Sequence, residues 1–179
     1  STGDHLTVVA LRSDGYDVWG PTRGRGRTLE LLRFLEDVRP AGLTDLDSAL
    51  RGWALRGSRP GLALVISDLL SPTGFEGGLN ALLGRGYEVA VIHLLSPDEI
   101  NPPLAGDLSL IDSETRKPQD VTIDGPLRRL YVRRLLTWRD EIADFCAGRG
   151  VHYIMVETSV PWEELILLDR PDADHVVLE

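Results

Sequence analysis

What this 179-residue chain lacks narrows the field first. Its single cysteine, Cys146, excludes an internal disulfide and fits a reducing compartment. Lysine is almost absent too. Lys117 is the one lysine among 19 basic residues, and the arginines that make up the rest read as scattered, with no basic stripe. No apolar stretch approaches the roughly 18 residues a membrane-spanning helix needs, and no signal peptide is visible. The expectation is a soluble chain in the cytoplasm. A net charge of −9 argues against a nucleic-acid backbone or an anionic membrane surface as the main partner. Signatures of chemistry are equally sparse. The four histidines, His5, His93, His152 and His175, never pair as HxxxH or HxH, and no GxSxG elbow marks a serine hydrolase. The glycines of Arg23-Gly24-Arg25-Gly26-Arg27 lack both the GK[ST] ending of a phosphate loop and dinucleotide spacing, which leaves a plain loop.

What is present is organised around Gly61–Asp68 (GLALVISD), a short apolar run bounded by Pro60 and Pro72. Such a run reads as the central strand of a parallel sheet covered on both sides, with Asp68 at its carboxyl end, where open α/β sheets place their ligand sites. Before it come a hairpin (His5–Arg12 returning at Tyr16–Gly20) and two helices, Thr28 to about Val38 and one opening at Thr44-Asp45-Leu46-Asp47. After it come a helix over Phe75–Arg85 closed by Gly86, and a second buried strand over Tyr87–Leu95. Residues 96–124 form a proline-rich excursion with a small hairpin, Asp107–Asp112 against Gln119–Asp124. A long helix over Leu127–Ala147 carries one apolar face (Leu127, Tyr131, Leu135, Trp138, Ile142, Phe145), a last strand spans Val151–Val156, and a short helix spans Val160–Leu168. The whole reads as a single α/β domain over residues 1–179, three-layered, with a mostly parallel sheet and helices on both faces.

His93 and His152 sit inside strand patterns and read as core imidazoles, and Cys146 reads as packing. One constellation of oxygens is left. Thr44 stands at a helix start and Asp68 at a strand end, the positions that a right-handed crossover brings to one rim of a sheet. A hydroxyl and a carboxylate are hard ligands of the kind Mg²⁺ accepts. The alternative is that Thr44 caps its helix and Asp68 caps the turn after its strand.

The runs Gly42-Leu43-Thr44-Asp45-Leu46-Asp47-Ser48-Ala49-Leu50 and Val65-Ile66-Ser67-Asp68-Leu69-Leu70 resemble the von Willebrand factor A-like domain. More narrowly, they resemble the bacterial family of domains of unknown function numbered fifty-eight. Gly86-Tyr87-Glu88-Val89, His93–Glu99 (HLLSPDE), Asp112-Ser113-Glu114-Thr115 and Gly150-Val151-His152-Tyr153 extend the likeness over nearly the whole chain. The resemblance implies a metal-ion-dependent adhesion site, with Thr44 matching its threonine and Asp68 its last aspartate. The DxSxS motif of that site does not occur ahead of His5, so the first strand and helix of the pattern read as missing. No tightly held cofactor is expected here, although Mg²⁺ is possible in a full-length protein. The loss implies a rearranged sheet or self-association. By the same resemblance the chain is a non-enzymatic interaction domain, an adapter for a MoxR-type AAA+ ATPase. The rival is a metal-dependent hydrolase or phosphatase using Asp68 with Asp45 or Asp47.

Overall fold

A computed structural model describes residues 5–12, 15–39, 44–56, 60–104, 106–111 and 118–161. The short helix expected over Val160–Leu168 lies almost wholly outside them. The chain is a mixed α/β structure whose described strands include a three-stranded parallel sheet. It divides into two compact units, one taking the chain up to Ala63 and again over Leu69–Glu88, the other taking Leu64–Asp68 and the chain from Val89 onward.

The first unit opens with β1 (His5–Arg12) and β2 (Gly15–Arg23), an antiparallel pair with an irregularity between Leu6 and Val8. Strand β2 runs past the expected Gly20 to Arg23, and the Gly20–Pro21 bond within it is cis. Gly20 is required there. At φ +99° a Cβ would lie 2.5 Å from the Leu6 carbonyl oxygen. After a 3₁₀ turn at Arg25–Arg27, α1 spans Thr28–Asp37, so that Thr28 begins the helix and Arg27 stands in the cap position. Leu29, Leu32 and Leu35 of α1 stay exposed.

Helix α2 (Leu46–Arg56) buries Leu46, Leu50 and Ala54, which recur at helical spacing. It packs on α3 (Glu76–Gly84), which buries Gly78, Leu79 and Leu82. The approach is close: a Cβ at Gly78 would meet Leu50 Cβ at 2.6 Å. Gly86 at φ +86° ends α3 in the left-handed conformation expected of it.

The sheet order is β3 (Leu62–Ser67), β4 (Glu88–Leu95), β7 (His152–Glu157). Among the described residues, β4 is the central strand and β3 the edge, the reverse of the sequence reading. Along β4, Val89, Val91, His93 and Leu95 are all buried on one face. Along β3, Val65 is buried, but Leu62, Leu64 and Ile66 are 67%, 52% and 58% exposed. A short apolar run is equally consistent with either position, because composition does not say whether a neighbour exists on each side. Strands β4 and β7 pair in parallel from Ala90↔His152 to Leu95↔Glu157.

Between them lie α4 (Pro97–Ile100), β5 (Gly106–Ile111), β6 (Pro118–Ile123) and α5 (Gly125–Ala147). The expected hairpin is present one residue earlier on both strands, with Asp107 opposite Thr122 and their side chains hydrogen-bonded at 2.6 Å. Asp124 caps α5 through a 2.8 Å bond from Leu127 N. The apolar face expected along α5 is buried at its carboxyl end, where Ile142 and Cys146 are enclosed. Leu127, Leu130, Tyr131 and Leu136 remain exposed. The arginines are less scattered than the sequence reading has them. Arg128, Arg129, Arg133, Arg134 and Arg139 fall on α5 with no acidic residue between Gly125 and Arg139.

Candidate functional site

The carboxylates singled out from the sequence have different fates. Asp45 is the residue before α2, and its Oδ1 accepts from Ser48 N at 2.9 Å and from Thr73 Oγ1 at 2.7 Å. These bonds hold its carboxyl below the usual carboxylate range, the backbone bond contributing most. Ser71 ties the same corner together. Its Oγ donates to the Thr44 carbonyl at 3.2 Å, accepts from Leu46 N at 3.2 Å and lies 3.0 Å from Thr73 Oγ1. Asp45, not Thr44, is therefore the cap of α2, and Thr44 enters this network through its carbonyl oxygen.

Asp47 fastens α2 to α3. Its Oδ1 accepts from Gly78 N at 2.6 Å and its Oδ2 from Arg51 Nε at 2.6 Å. Gly78 leaves a bare backbone N–H at the contact, where a Cβ would collide with Leu50. Both acids that the hydrolase reading needs as partners of Asp68 thus have oxygens committed to helix ends. Ser71 and Thr73 were not foreseen, since they lie 25 or more residues from the groups they bind and carry no local signal.

Asp68 belongs to the other unit. It follows β3 directly, at the carboxyl end of a sheet strand, and is exposed, with Ser67 Oγ 3.5 Å from its Oδ1. Behind the strand ends lies an unusual core group. His93 on β4 is wholly buried. Its Nδ1 is 2.8 Å from Tyr153 Oη on β7, and its ring stands edge-on to Trp138 of α5 at 5.1 Å. Its Nε2 has no hydrogen-bond partner among the described residues. Burial pushes its pKa down, while the backbone of Asp68 and the charges of Asp68 and Glu99 act in the opposite direction. The Asp68 backbone therefore acts on the ring as a nearby dipole, short of a well-formed hydrogen bond. Burial also pushes the Tyr153 phenol up to about 12, so it is a neutral partner that can donate to the imidazole. Reading His93 as a hydrogen-bonded core residue is thereby supported, whereas His152, read the same way, is exposed on β7. Tyr153, on the strand beside β4, is the partner of His93 that no sequence spacing indicated.

Helix α4 is likewise an unforeseen element, though its signal was present. Ser96-Pro97-Asp98-Glu99 forms a capping box, with Ser96 Oγ accepting from Glu99 N at 3.2 Å and Glu99 Oε2 accepting from Ser96 N at 2.7 Å. The Glu99 carbonyl then accepts from Tyr131 Oη at 2.6 Å, linking α4 to α5. Cys146 is buried, and burial raises its thiol pKa, so it fills space and is not activated. Among the described residues no three His, Cys, Asp or Glu side chains form a group that could hold a metal.

Comparison with known proteins places this geometry. The family model described as "Protein of unknown function DUF58" matches residues 1–141. An uncharacterised protein of Mycobacterium avium is 31% identical over 142 residues, covering 78% of this chain and 83% of that protein. Uncharacterised proteins of Mycobacterium tuberculosis are 32% identical over 142 residues, but there the match covers 44% of the relative's length. Among solved structures, an aerotolerance-related membrane protein from Bacteroides fragilis superposes with a TM-score of 0.51 at 15% identity, covering 94% of this chain and 80% of that one. This last likeness corrects the cytoplasmic placement expected from the sequence. The same fold occurs in a membrane protein, and the fact that no helix among the described residues is long and apolar enough to cross a membrane does not assign this chain to the cytoplasm.

Proposed function

This chain is a member of the DUF58 family, and we propose that it is a protein-interaction module of von Willebrand factor A-like build, an adapter for a MoxR-type AAA+ ATPase rather than an enzyme. The observation that carries this reading is the contrast among its acids. Asp45 and Asp47 have oxygens held by helix ends, while Asp68 is exposed at the end of a parallel strand. The hydrolase reading needs Asp45 or Asp47 as a second acid beside Asp68, and both are tied to structural bonds.

Asp68 is the residue this reading assigns to a divalent cation, offering a hard carboxylate. That one group falls well short of the six positions Mg²⁺ fills. Water and a carboxylate of the partner would supply others, so the cation would bind when the partner does. Its contribution would be to join two like-charged groups that otherwise repel.

The test is binding of the full-length protein to an immobilised MoxR-type ATPase from the same genome, in Mg²⁺ and in EDTA. The expected result is Mg²⁺-dependent binding that weakens roughly tenfold or more in Asp68→Ala, about the loss of one charge-assisted contact. Equal affinity in Mg²⁺ and EDTA, or an unchanged Asp68→Ala variant, would overturn the mechanism.

A further inference from the structure

The five arginines of α5 stand out in a chain with 28 acidic residues and a net charge of −9. Three of them share a groove. Arg128, Arg129 and Arg133 line it together with Val132, Leu136 and Asn101, an open depression of about 550 Å³. Positions 128, 129, 132, 133 and 136 form one continuous stripe on a helix of 3.6 residues per turn. That stripe lies beside the buried one that carries Ile142 and Cys146. All three arginines are exposed, and among the described residues none is ion-paired. Arg139, farther along the same helix, and Arg12, Arg27 and Arg51 each hold a carboxylate within 3.0 Å.

Guanidinium groups set side by side on one rigid helix repel each other unless an anion lies between them, and their planar forks match carboxylates in bidentate geometry. Val132 and Leu136 give the groove an apolar wall, against which ion pairs are less screened than on an open surface. We propose that this groove seats an acidic segment of a partner protein, with carboxylates on Arg128, Arg129 and Arg133 and an apolar side chain against Val132 and Leu136. Arginine clusters recognise acidic motifs in this manner. A narrow segment also suits the rest of the chain, whose 28 acids oppose close approach to an extended anionic surface. The proposal uses none of the residues assigned to the cation, and it stands whether or not Asp68 takes part in binding.

The experiment is fluorescence anisotropy on the whole chain with a short fluorescein-labelled peptide of alternating glutamate and leucine. Saturable binding is expected, weakening as salt is added and falling roughly tenfold or more in the double variant Arg129→Glu/Arg133→Glu. Arg134→Glu makes the same kind of charge change at a position that does not line the groove, and should alter affinity by no more than about twofold. Circular dichroism confirms that each variant is folded, as exposed positions predict. No peptide binding up to about 1 mM, or equal losses in both variants, would overturn the proposal. So would phosphatidylserine vesicles binding in a groove-dependent way where the peptide does not, since the groove would then be a membrane contact.

Discussion

The two compact units differ in how their carboxylates are used. In the first, the meeting of α2 and α3 is secured by carboxylates. Asp45 caps one helix and receives Thr73, while Asp47 spans from Arg51 of its own helix to the backbone of the next. In the second, the central strand β4 presents Val89, Val91 and Leu95 to a closed interior, with one imidazole set among them. Both units bury apolar side chains, Leu50, Leu79 and Leu82 in the first and those of β4 in the second, and the first adds directional carboxylate bonds at its helix junction. Asp45 and Asp47 are therefore part of the scaffold, whereas Asp68 is exposed at a strand end.

The largest expected effect tests the apolar side of this contrast. Leu95→Ala, at a position 1% exposed, should cost about 2–5 kcal/mol in urea denaturation. Leu64→Ala, on the half-exposed face of β3, should cost less than about 1 kcal/mol, because most of that side chain stays in water. Comparable losses at both positions would mean that the open face of β3 is covered in solution, and sedimentation would identify self-association as the cause.

Next in size is the polar clamp. Asp47→Ala removes the acceptor of Gly78 N and the partner of Arg51, and should cost about 1.5–3 kcal/mol by the same denaturation measurement. Asp47→Asn keeps an oxygen at the Gly78 contact and should recover part of that loss. If the asparagine variant were no better than alanine, the charge would be the essential feature, not the bond.

The smallest effect is one of pH. His93 has a lowered pKa in the folded protein, so below the ordinary histidine value the unfolded chain binds the extra proton first. Stability from this group is complete above about pH 6.5 and falls as pH drops below that value. The slope is at most about 1.4 kcal/mol per pH unit for one proton. Thermal melts between neutral and mildly acidic pH should show this decline in the wild type and a flatter one in His93→Phe. The change of slope is the readout, since the substitution also removes the bond to Tyr153.

Much of the secondary structure was legible because its signals are local. Leu46, Leu50 and Ala54 repeat at helical spacing, Gly86 stands where only a left-handed residue ends α3, and Gly150-Val151 mark the turn into β7. The helix before β3 opens at Thr44-Asp45 by sequence, and the hydrogen bond from Ser48 N makes Asp45 its cap. The site was less legible. Asp68 could be placed at a strand end from the run that precedes it. That Asp45 and Asp47 have oxygens already bound depends on Thr73 and Gly78, about thirty residues away.

By itself the sequence determined most of the helices and strands, that the chain is acidic, and that it belongs with relatives sharing its motifs. Those properties arise from neighbours along the chain and from composition. Tertiary structure alone decided which apolar strand lies inside. β3 and β4 are both short hydrocarbon-rich runs, yet β4 has a strand on each side and β3 has one among the described residues. It also decided that Asn101, from outside the helix, joins the arginine stripe of α5 to line a single groove. Burial and convergence depend on contacts between distant segments, and no local pattern records them.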